Sequence, residues 1–412
     1  HGEEAARGAS LTEPYTGSSE PHTEPLVEYA REYSRTHAVD LFVFGHMHFP
    51  RDCREGRLHV VNLGCWAENP SYAVLDAAGE RQKLRTVGEL APEAFRDDTE
   101  TLYRLMFELS RSYQHRLLDA PPARVEEIRK ALDGTPQLFP ARAAIACQGV
   151  EGAYSQLACE RLFRTPDIFY FSNFEAVFAA VDKGLCRYGV VPLENSTAGS
   201  VNAVYDLMMR YHFSIVRSVR LKVDHCLLAR QGAALPGIRE IYSHEQAIGQ
   251  CGRFLQSLSD VRVVRCANTA EAARLVAESG RTDVAALASR SCAALYGLDT
   301  LAESVQDQGG NFTRFICISK GLEIYPGADR TSLMMTLPHK PGSLARVLSR
   351  FYAMGVNLNK LESRPLPERN FEFMFYFDLE APVYEPRFLQ LMGELDELSE
   401  NCFYLGSYSE VI

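Results

Sequence analysis

The stretch Tyr188-Gly189-Val190-Val191-Pro192-Leu193-Glu194-Asn195-Ser196-Thr197 shows the pattern on which the middle of this chain is built. Its apolar run, 188–191, is typical of a buried strand and leads into a polar cluster. Similar apolar runs lie at 143–147, 168–171, 261–265 and 283–287, with helical patterns between them. This alternation predicts an α/β fold. Residues 212–229 are instead long and extended, and we expect them to cross between two lobes.

Four polar clusters stand where strand patterns end, at residues 152–155, 194–197, 243–246 and 311–314. In open α/β sheets, ligands gather at the carboxyl ends of the strands. For any one cluster alone, helix N-capping is the preferred explanation. Four clusters of amides and hydroxyls with one arginine favour a pocket for a small polar anion.

From residue 331 the pattern changes to strand, helix, strand, strand, helix, strand. The strand-like runs are 331–337, 356–362, 371–379 and 402–408, and the helical runs are 344–351 and 386–398. This order predicts a small ferredoxin-like α+β sandwich. Nearer the N-terminus, strand-like runs lie at 41–44, 58–63 and 72–75, and a helix is predicted over 93–118.

The chain has 412 residues, a formal net charge of −10 and 46% apolar residues. The length predicts two or three domains. The negative charge argues against nucleic acid or an anionic membrane surface as a partner, and no apolar run approaches the ~20 residues that span a bilayer. The 11 cysteines include no Cys-x-x-Cys pair, and their odd number favours a reducing cytoplasm over a disulfide framework. Residues 142–319 carry neither a metal signature nor a phosphate loop, so no cofactor is expected.

The motifs at 149–155 (GVEGAYS), 191–196 (VPLENS), 243–247 (SHEQA) and 311–315 (NFTRF) resemble, in this order, those of the prephenate dehydratase family. The resemblance covers residues 142–319 and implies two lobes like those of a periplasmic binding protein, with the site in the cleft. It implies decarboxylating dehydration of prephenate to phenylpyruvate, a step of phenylalanine biosynthesis. Two alternatives stay open, namely arogenate as the substrate, or an amino-acid-binding protein without catalysis.

The last motif contains the family's essential triplet, which implies catalytic roles for Thr313 and Arg314. We expect Thr313 to assist the leaving hydroxyl through a relay, because a threonine hydroxyl is a weak acid. We expect Arg314 to hold the pyruvyl carboxylate bidentately. Strand neighbours point to opposite sides, so both can serve one substrate only if the backbone bends near Gly309-Gly310 or the substrate wraps round the strand end.

The resemblance implies that further residues of the four motifs bind the substrate. They are Ser155, Glu194, Asn195, Ser196, Thr197, Ser243, His244, Gln246, Asn311 and Phe315. His244 is a candidate for the relay, although a helix-start role is the preferred explanation.

Residues 331–409 resemble the ACT domain, a small-ligand sensor, through PGSLA at 341–345 and NLNKLESRP at 357–365. The resemblance implies feedback regulation by bound phenylalanine and self-association through paired domains. The implied effector residues are Gly342, Ser343, Leu344, Ala345, Asn357, Glu362, Ser363, Arg364 and Pro365. The alternative is that Gly342 only makes a turn and that Glu362 and Arg364 only form surface pairs.

Residues 1–88 resemble the C-terminal part of a calcineurin-like metallophosphoesterase, with His46 and His48 in its metal-ligand motif. The upstream ligands are absent, so we expect these histidines to be vestigial, because a two-metal site needs bridging carboxylates. Residues 89–141 are predicted to be a helical linker. Within it, 93–118 resemble the last helix of a chorismate mutase, although an amphipathic connector is the preferred explanation.

Overall fold

The protein is described from a computed structural model. It describes Glu32, Arg35 and residues 41–44, 51–55, 58–62, 77–118, 122–366 and 372–412. The chain divides into two compact units, His1–Leu118 and Asp119–Ile412. None of the described helices is both long enough and apolar enough to cross a bilayer.

The first unit contains a three-stranded sheet and two helices among its described residues. These elements are β1 Leu41–Phe44, β2 Arg51–Glu55, β3 Leu58–Asn62, α1 Ala77–Leu90 and α2 Arg96–Leu118. The predicted strands at 41–44 and 58–63 and the helix at 93–118 are confirmed, except that Glu93–Phe95 form a 3-10 turn before α2. The predicted strand at 72–75 and the motif of His46 and His48 lie outside the described residues.

The second unit begins with an α/β region that contains two sheets. Its elements are α3 Ala123–Gly134, β4 Ala144–Gln148, α4 Tyr154–Leu162, β5 Asp167–Phe171, α5 Phe174–Asp182, β6 Tyr188–Asn195, β7 Gly199–Ser200, α6 Asn202–Tyr211, β8 Ser214–Lys222, β9 His225–Ala229, β10 Glu240–Ser243, α7 Glu245–Gln250, α8 Gly252–Gln256, β11 Arg262–Arg265, α9 Thr269–Glu278, β12 Val284–Ser289, α10 Arg290–Tyr296, β13 Asp299–Ala302 and β14 Phe312–Ser319. The alternation of strands and helices that the sequence predicts is therefore confirmed.

The two sheets form two lobes, and the chain crosses between them twice. One lobe holds five strands in the order β11-β10-β12-β9-β13, and the other includes β8-β14-β6-β4-β5 with β7 beside β6. The crossings run from β8 to β9 and from β13 to β14. The first crossing falls within the extended segment 212–229, as predicted. The likeness to a periplasmic binding protein stays a prediction.

The second unit ends in an α+β domain. Its elements are β15 Arg330–Thr336, α11 Ser343–Ala353, β16 Asn357–Pro365, β17 Phe373–Glu380, α12 Pro386–Leu398 and β18 Asn401–Tyr408. The strands form an antiparallel sheet in the order β16-β17-β15-β18. This is the ferredoxin-like order that the sequence pattern predicts.

The sheet of this α+β domain packs against the larger lobe and shares a hydrophobic core with it. Met334 and Tyr376 of the α+β domain lie in one buried cluster with Val204, Tyr205 and Met208 of α6. A last strand, β19 (Glu410–Val411), returns to the larger lobe and pairs in parallel with β8. The two domains are therefore joined by packing and by main-chain hydrogen bonds as well as by sequence.

A close backbone approach between the two domains depends on Gly406 in β18. Its φ is +126°, which disfavours residues with a side chain, and a Cβ there would clash with the carbonyl oxygen of Ile215 in β8. Gly406→Ala should therefore lower the free energy of unfolding by at least about 2 kcal/mol. Chemical denaturation measures this change. The matched control is Gly237→Ala, where a Cβ meets no atom within 4 Å, and an equal loss in both variants would contradict the interpretation.

Candidate active site

A polar cleft of about 310 Å³ lies beside the crossing from β13 to β14. Side-chain amides dominate its lining. The lining residues are Thr197, Ala198, Gln246, Gly249, Gln250, Gln306, Asp307, Gln308 and Asn311. Asp307 is the one charged side chain among them, so recognition of an anion here depends on amide and hydroxyl donors.

Asn195, at the end of β6, is oriented by the turn that follows it. Its Oδ1 accepts hydrogen bonds from the backbone N–H groups of Thr197 at 3.0 Å and Ala198 at 2.8 Å. Backbone N–H groups only donate, so this end of the amide must be the oxygen. Nδ2 therefore points the other way, and it donates to Asn311 Oδ1 at 2.7 Å and to Thr313 Oγ1 at 2.9 Å.

The orientation of Asn195 determines what the Thr313 hydroxyl can do. Because Oγ1 accepts a hydrogen from Asn195, the hydroxyl hydrogen of Thr313 remains available for another acceptor. Thr313 is half-buried and lies opposite Asn195 in the β14–β6 ladder. The site therefore presents one hydroxyl donor at a fixed place.

A chain of amides extends this network to a buried histidine. Asn311 Nδ2 donates to Gln250 Oε1 at 2.9 Å, and Gln250 Nε2 donates to Thr197 Oγ1 at 3.1 Å. His225 Nε2 lies 3.0 Å from the same Gln250 oxygen, so it must be the donor. Burial lowers the pKa of His225, against the opposing effect of the Gln250 hydrogen bond. The imidazole is thus held neutral at the crossing into β9.

Arg314 lies on the other side of β14, away from this network. Its Nη1 contacts Glu194 Oε1 at 3.1 Å and Asp378 Oδ2 of β17, and its Nη2 donates to Tyr408 Oη at 2.6 Å. Glu410 Oε1 lies 3.4 Å from Nε. The Arg314 side chain is 6% exposed and the Asp378 side chain is fully buried. The pair therefore lies in the interface between the α+β domain and the larger lobe.

The charges around Arg314 are mutually compensating. Burial lowers the pKa of the guanidinium, but Tyr408 and Asp378 raise it by more, so Arg314 stays charged. Burial raises the pKa of Glu194, but Lys360 and Arg314 lower it by more, so Glu194 stays ionised. Glu194 therefore does not have the raised pKa that a proton donor at neutral pH needs.

The comparisons with known proteins agree on one family. The family model "Prephenate dehydratase" matches residues 145–322. "Arogenate dehydratase/prephenate dehydratase 1, chloroplastic" from Arabidopsis thaliana is 37% identical over 281 residues, which is 64% of this chain and 71% of that protein. The chain belongs to the prephenate dehydratase family.

Two solved structures are similar to this prephenate dehydratase family member. A prephenate dehydratase from Arthrobacter aurescens in complex with L-Phe has 28% identity and a TM-score of 0.59, covering 65% of this chain and 89% of that one. A protein described as GqqA, a novel type of quorum-quenching acylase, has 32% identity and a TM-score of 0.60, covering 65% of this chain and 98% of that one.

The structure brings only part of the predicted substrate set into the cleft. Thr197, Gln246 and Asn311 line it directly, and Asn195 is bonded to Thr313 beside it. Ser196 instead fastens the entry of β14, since its Oγ donates to Gly310 O at 2.9 Å and accepts from Phe312 N at 2.9 Å.

The remaining members of the predicted set are used elsewhere in the fold. Ser243 is buried and donates to Leu287 O at 2.8 Å. His244 caps α7 by accepting from Gln246 N at 3.3 Å, which agrees with the helix-start explanation. Phe315 lies in the core of the larger lobe, and Ser155 is buried in the first turn of α4. Glu194 does not line the cleft, because Arg314 and Lys360 hold its two carboxylate oxygens at the domain interface.

The predicted carboxylate clamp by Arg314 requires a correction. The β14–β6 register is irregular between Arg314 and Phe315, yet this does not turn Arg314 to the side of Thr313. Its guanidinium is buried among Glu194, Asp378 and Tyr408. The alternation of side chains along a strand explains why the two neighbours separate.

The sequence analysis missed one residue of the hydrogen-bonded network, His225, and six residues of the cleft lining, namely Ala198, Gly249, Gln250, Gln306, Asp307 and Gln308. Gln250 stands four positions after Gln246 on α7, so helical spacing places both on one face and offers a signal. His225 and Asp307 belong to the two crossings, and no motif marks them.

The predicted effector residues do not gather at one place within this chain. The β16–β17–β15 registers join Arg364, Met374 and Thr336 in one row across the sheet, at the end nearest Gly342. Asn357 pairs with Glu380 at the opposite end, about 23 Å along the strand. Glu362 and Arg364 face the larger lobe, where they contact Ser200 and Asp206.

The role of Asn195 gives a direct test. Asn195→Asp keeps an acceptor for the N–H groups of Thr197 and Ala198 but removes the donor to Thr313. We expect the turnover number to fall about 100-fold, since correct placement of one proton donor contributes on this scale. Steady-state kinetics measures the loss. A variant with normal turnover, or one whose loss follows from a lowered melting temperature, would contradict this assignment.

Proposed function

We propose that this chain is a prephenate dehydratase, which removes water and carbon dioxide from prephenate and leaves phenylpyruvate. The observation that supports it best is the Thr313 hydroxyl, which Asn195 holds beside an amide-lined cleft with its hydrogen available. A protein that only binds its ligand has no need for a hydroxyl donor fixed in this way.

The chemistry needs a donor at one point of the substrate ring. As the ring carboxylate leaves as carbon dioxide, the electrons of its bond enter the ring and expel the hydroxyl, which departs as water after gaining a proton. Thr313 donates a hydrogen bond to that oxygen as the C–O bond lengthens, and water supplies the proton, because threonine is a weak acid. Aromatisation drives the reaction.

The cleft supports recognition of the substrate carboxylates by neutral donors. Gln246 and Gln308 can turn their amide N–H groups towards an anion, and neither is a cation that would form a tight pair with the ring carboxylate that must leave. Gln306 is already held, because its Nε2 donates to Asp224 Oδ1 at 2.7 Å and its Oε1 accepts from the backbone N–H of His225 at 2.9 Å. Arg314 then acts indirectly, by fixing β14 against the α+β domain. Cytoplasmic localisation remains a proposal from composition alone.

The second candidate is arogenate dehydratase, and one observation favours it. Asp307 places a carboxylate in the cleft, and arogenate carries an ammonium group where prephenate carries a keto oxygen. The relatives from Arabidopsis thaliana and Petunia hybrida are named arogenate dehydratases or arogenate/prephenate dehydratases. Both substrates therefore belong in the assay.

The purified full chain should convert prephenate to phenylpyruvate. Thr313→Ala should lower the turnover number at least about 100-fold with a smaller change in KM, because the lost contact acts in the transition state. Thr313→Ser keeps the hydroxyl and should retain more activity. Formation of phenylpyruvate from prephenate and of phenylalanine from arogenate would be measured in parallel. A wild-type chain that converts neither substrate would overturn the proposed function, and a preference for arogenate would select the second candidate.

We further propose that the α+β domain is an ACT domain whose effector is phenylalanine. Gly342 has φ +85° and stands immediately before α11, where free backbone N–H groups suit an amino-acid carboxylate. The wide separation of Asn357 from Gly342 within one chain favours a site that two paired domains complete together. Self-association is part of this proposal.

Gly342→Ala should weaken phenylalanine binding at least about tenfold, because a side chain strains the left-handed backbone at the helix start. Calorimetric titration of the full chain measures the affinity. Gly327→Ala is the matched control, since Gly327 has nearly the same φ, +84°, and likewise has no atom within 4 Å of a built Cβ. Equal weakening in both variants would contradict the assignment of the binding site to Gly342. If titration of the wild-type chain with phenylalanine gives no heat of binding, phenylalanine is not the effector.

A further inference from the structure

Strand β16 of the α+β domain holds the β6–β7 hairpin of the larger lobe. Lys360 Nζ lies 2.5 Å from Glu194 Oε2 and 2.8 Å from Ser200 Oγ. Ser200 Oγ in turn donates to Glu362 Oε2 at 2.8 Å. Glu194 and Ser200 face each other across the hairpin. One strand of the C-terminal domain therefore contacts both strands of this hairpin through hydrogen bonds and an ion pair.

The same hairpin presents the groups that orient Thr313. Its turn contains Asn195, whose amide is fixed by the N–H groups of Thr197 and Ala198 and donates to Thr313. In the β14–β6 ladder Glu194 lies opposite Arg314, and Asn195 lies opposite Thr313. A displacement of Glu194 is therefore transmitted to its sequence neighbour Asn195.

Glu194 is held at both of its carboxylate oxygens. Arg314 contacts Oε1, and Lys360 contacts Oε2. The Lys360 side chain is only 15% exposed, and its Nζ lies 5.4 Å from the centre of the Tyr205 ring, which also restricts its position. Because Arg314 is shared with Asp378 and Tyr408, it cannot follow Glu194 if Lys360 is removed. Lys360 is thus the contact that sets the second oxygen.

We propose that Lys360 is a positioning residue for the dehydration, which acts from the C-terminal domain of the same chain through Glu194 and the β6–β7 turn on Asn195 and Thr313. The proposal rests on the proposed function of this cleft. It also gives the regulatory domain a direct route to the catalytic hydroxyl, because Lys360 and the predicted effector residues Glu362 and Arg364 face the same side of one strand.

Lys360→Met tests the proposal, since it keeps the length of the aliphatic stem and removes the charge. The turnover number should fall about 3- to 30-fold while KM changes by less than about twofold, which is the scale of coupling through such networks. Lys360→Arg, which restores a cation, should recover most of the loss. Lys320→Met is the control, because Lys320 forms an exposed pair with Asp182 and follows Ser319, which lies at the opposite end of the β14–β6 ladder from Asn195. Unchanged turnover in Lys360→Met, or no recovery in Lys360→Arg, would overturn the proposal.

A second readout separates this proposal from the proposed function. In full-chain protein with labelled threonine methyl groups, Lys360→Met should shift the Thr313 methyl resonance, and Lys360→Arg should shift it less. Ser200→Ala, which loosens Lys360 without leaving a buried charge, should shift it in the same direction and covers the case in which Lys360→Met does not fold. If the wild-type chain turns over neither substrate, the proposed function is wrong. If the Thr313 methyl resonance does not move in any of these variants, the proposed positioning role of Lys360 is wrong.

Discussion

The buried ion pair between Arg314 and Asp378 is the interaction on which the second unit of this protein depends. Both side chains are buried away from water, and an unpaired charge in such a buried position costs several kcal/mol. Each is therefore stable only while the other is present, together with Tyr408 and Glu194. Since Arg314 belongs to β14 of the larger lobe and Asp378 to β17 of the α+β domain, the pair requires the two domains to be docked in one arrangement. The shared core and strand β19 stabilise the same arrangement.

This constraint explains why two adjacent residues of one motif differ so much in role. Thr313 is hydrogen-bonded to Asn195 beside the cleft, while Arg314 is buried in the domain interface and paired with Asp378. Under the proposed function, the two residues of this motif therefore act in different ways. Arg314 holds β14 against the α+β domain, and rigid support of a reacting group contributes to catalysis because it keeps that group in the correct position.

The sequence predicted the order of elements well, because apolar runs and helical faces depend on neighbouring residues. It also predicted Asn195, Thr197, Asn311 and Gln246 near the cleft, because these residues belong to the polar clusters that follow strand ends and carry the family motifs. It failed for Arg314 and for Glu194, whose partners Asp378 and Lys360 lie in another domain. Periodicity carries no record of such distant pairs. The cap formed by His244 was partly predictable, because local chemistry explains it once the start of the helix is known.

Strand β19 has a consequence for the order in which the protein acquires its structure. The outer edge of β8 is covered only when Glu410 and Val411 pair with Ser218 and Val219. During synthesis the larger lobe therefore emerges with an open strand edge and with Arg314 lacking its partners, and it stays so until a whole further domain has been made. An uncovered edge is a template for pairing with other chains. Newly made protein is thus most vulnerable to aggregation in this interval, and chaperone binding is most useful there.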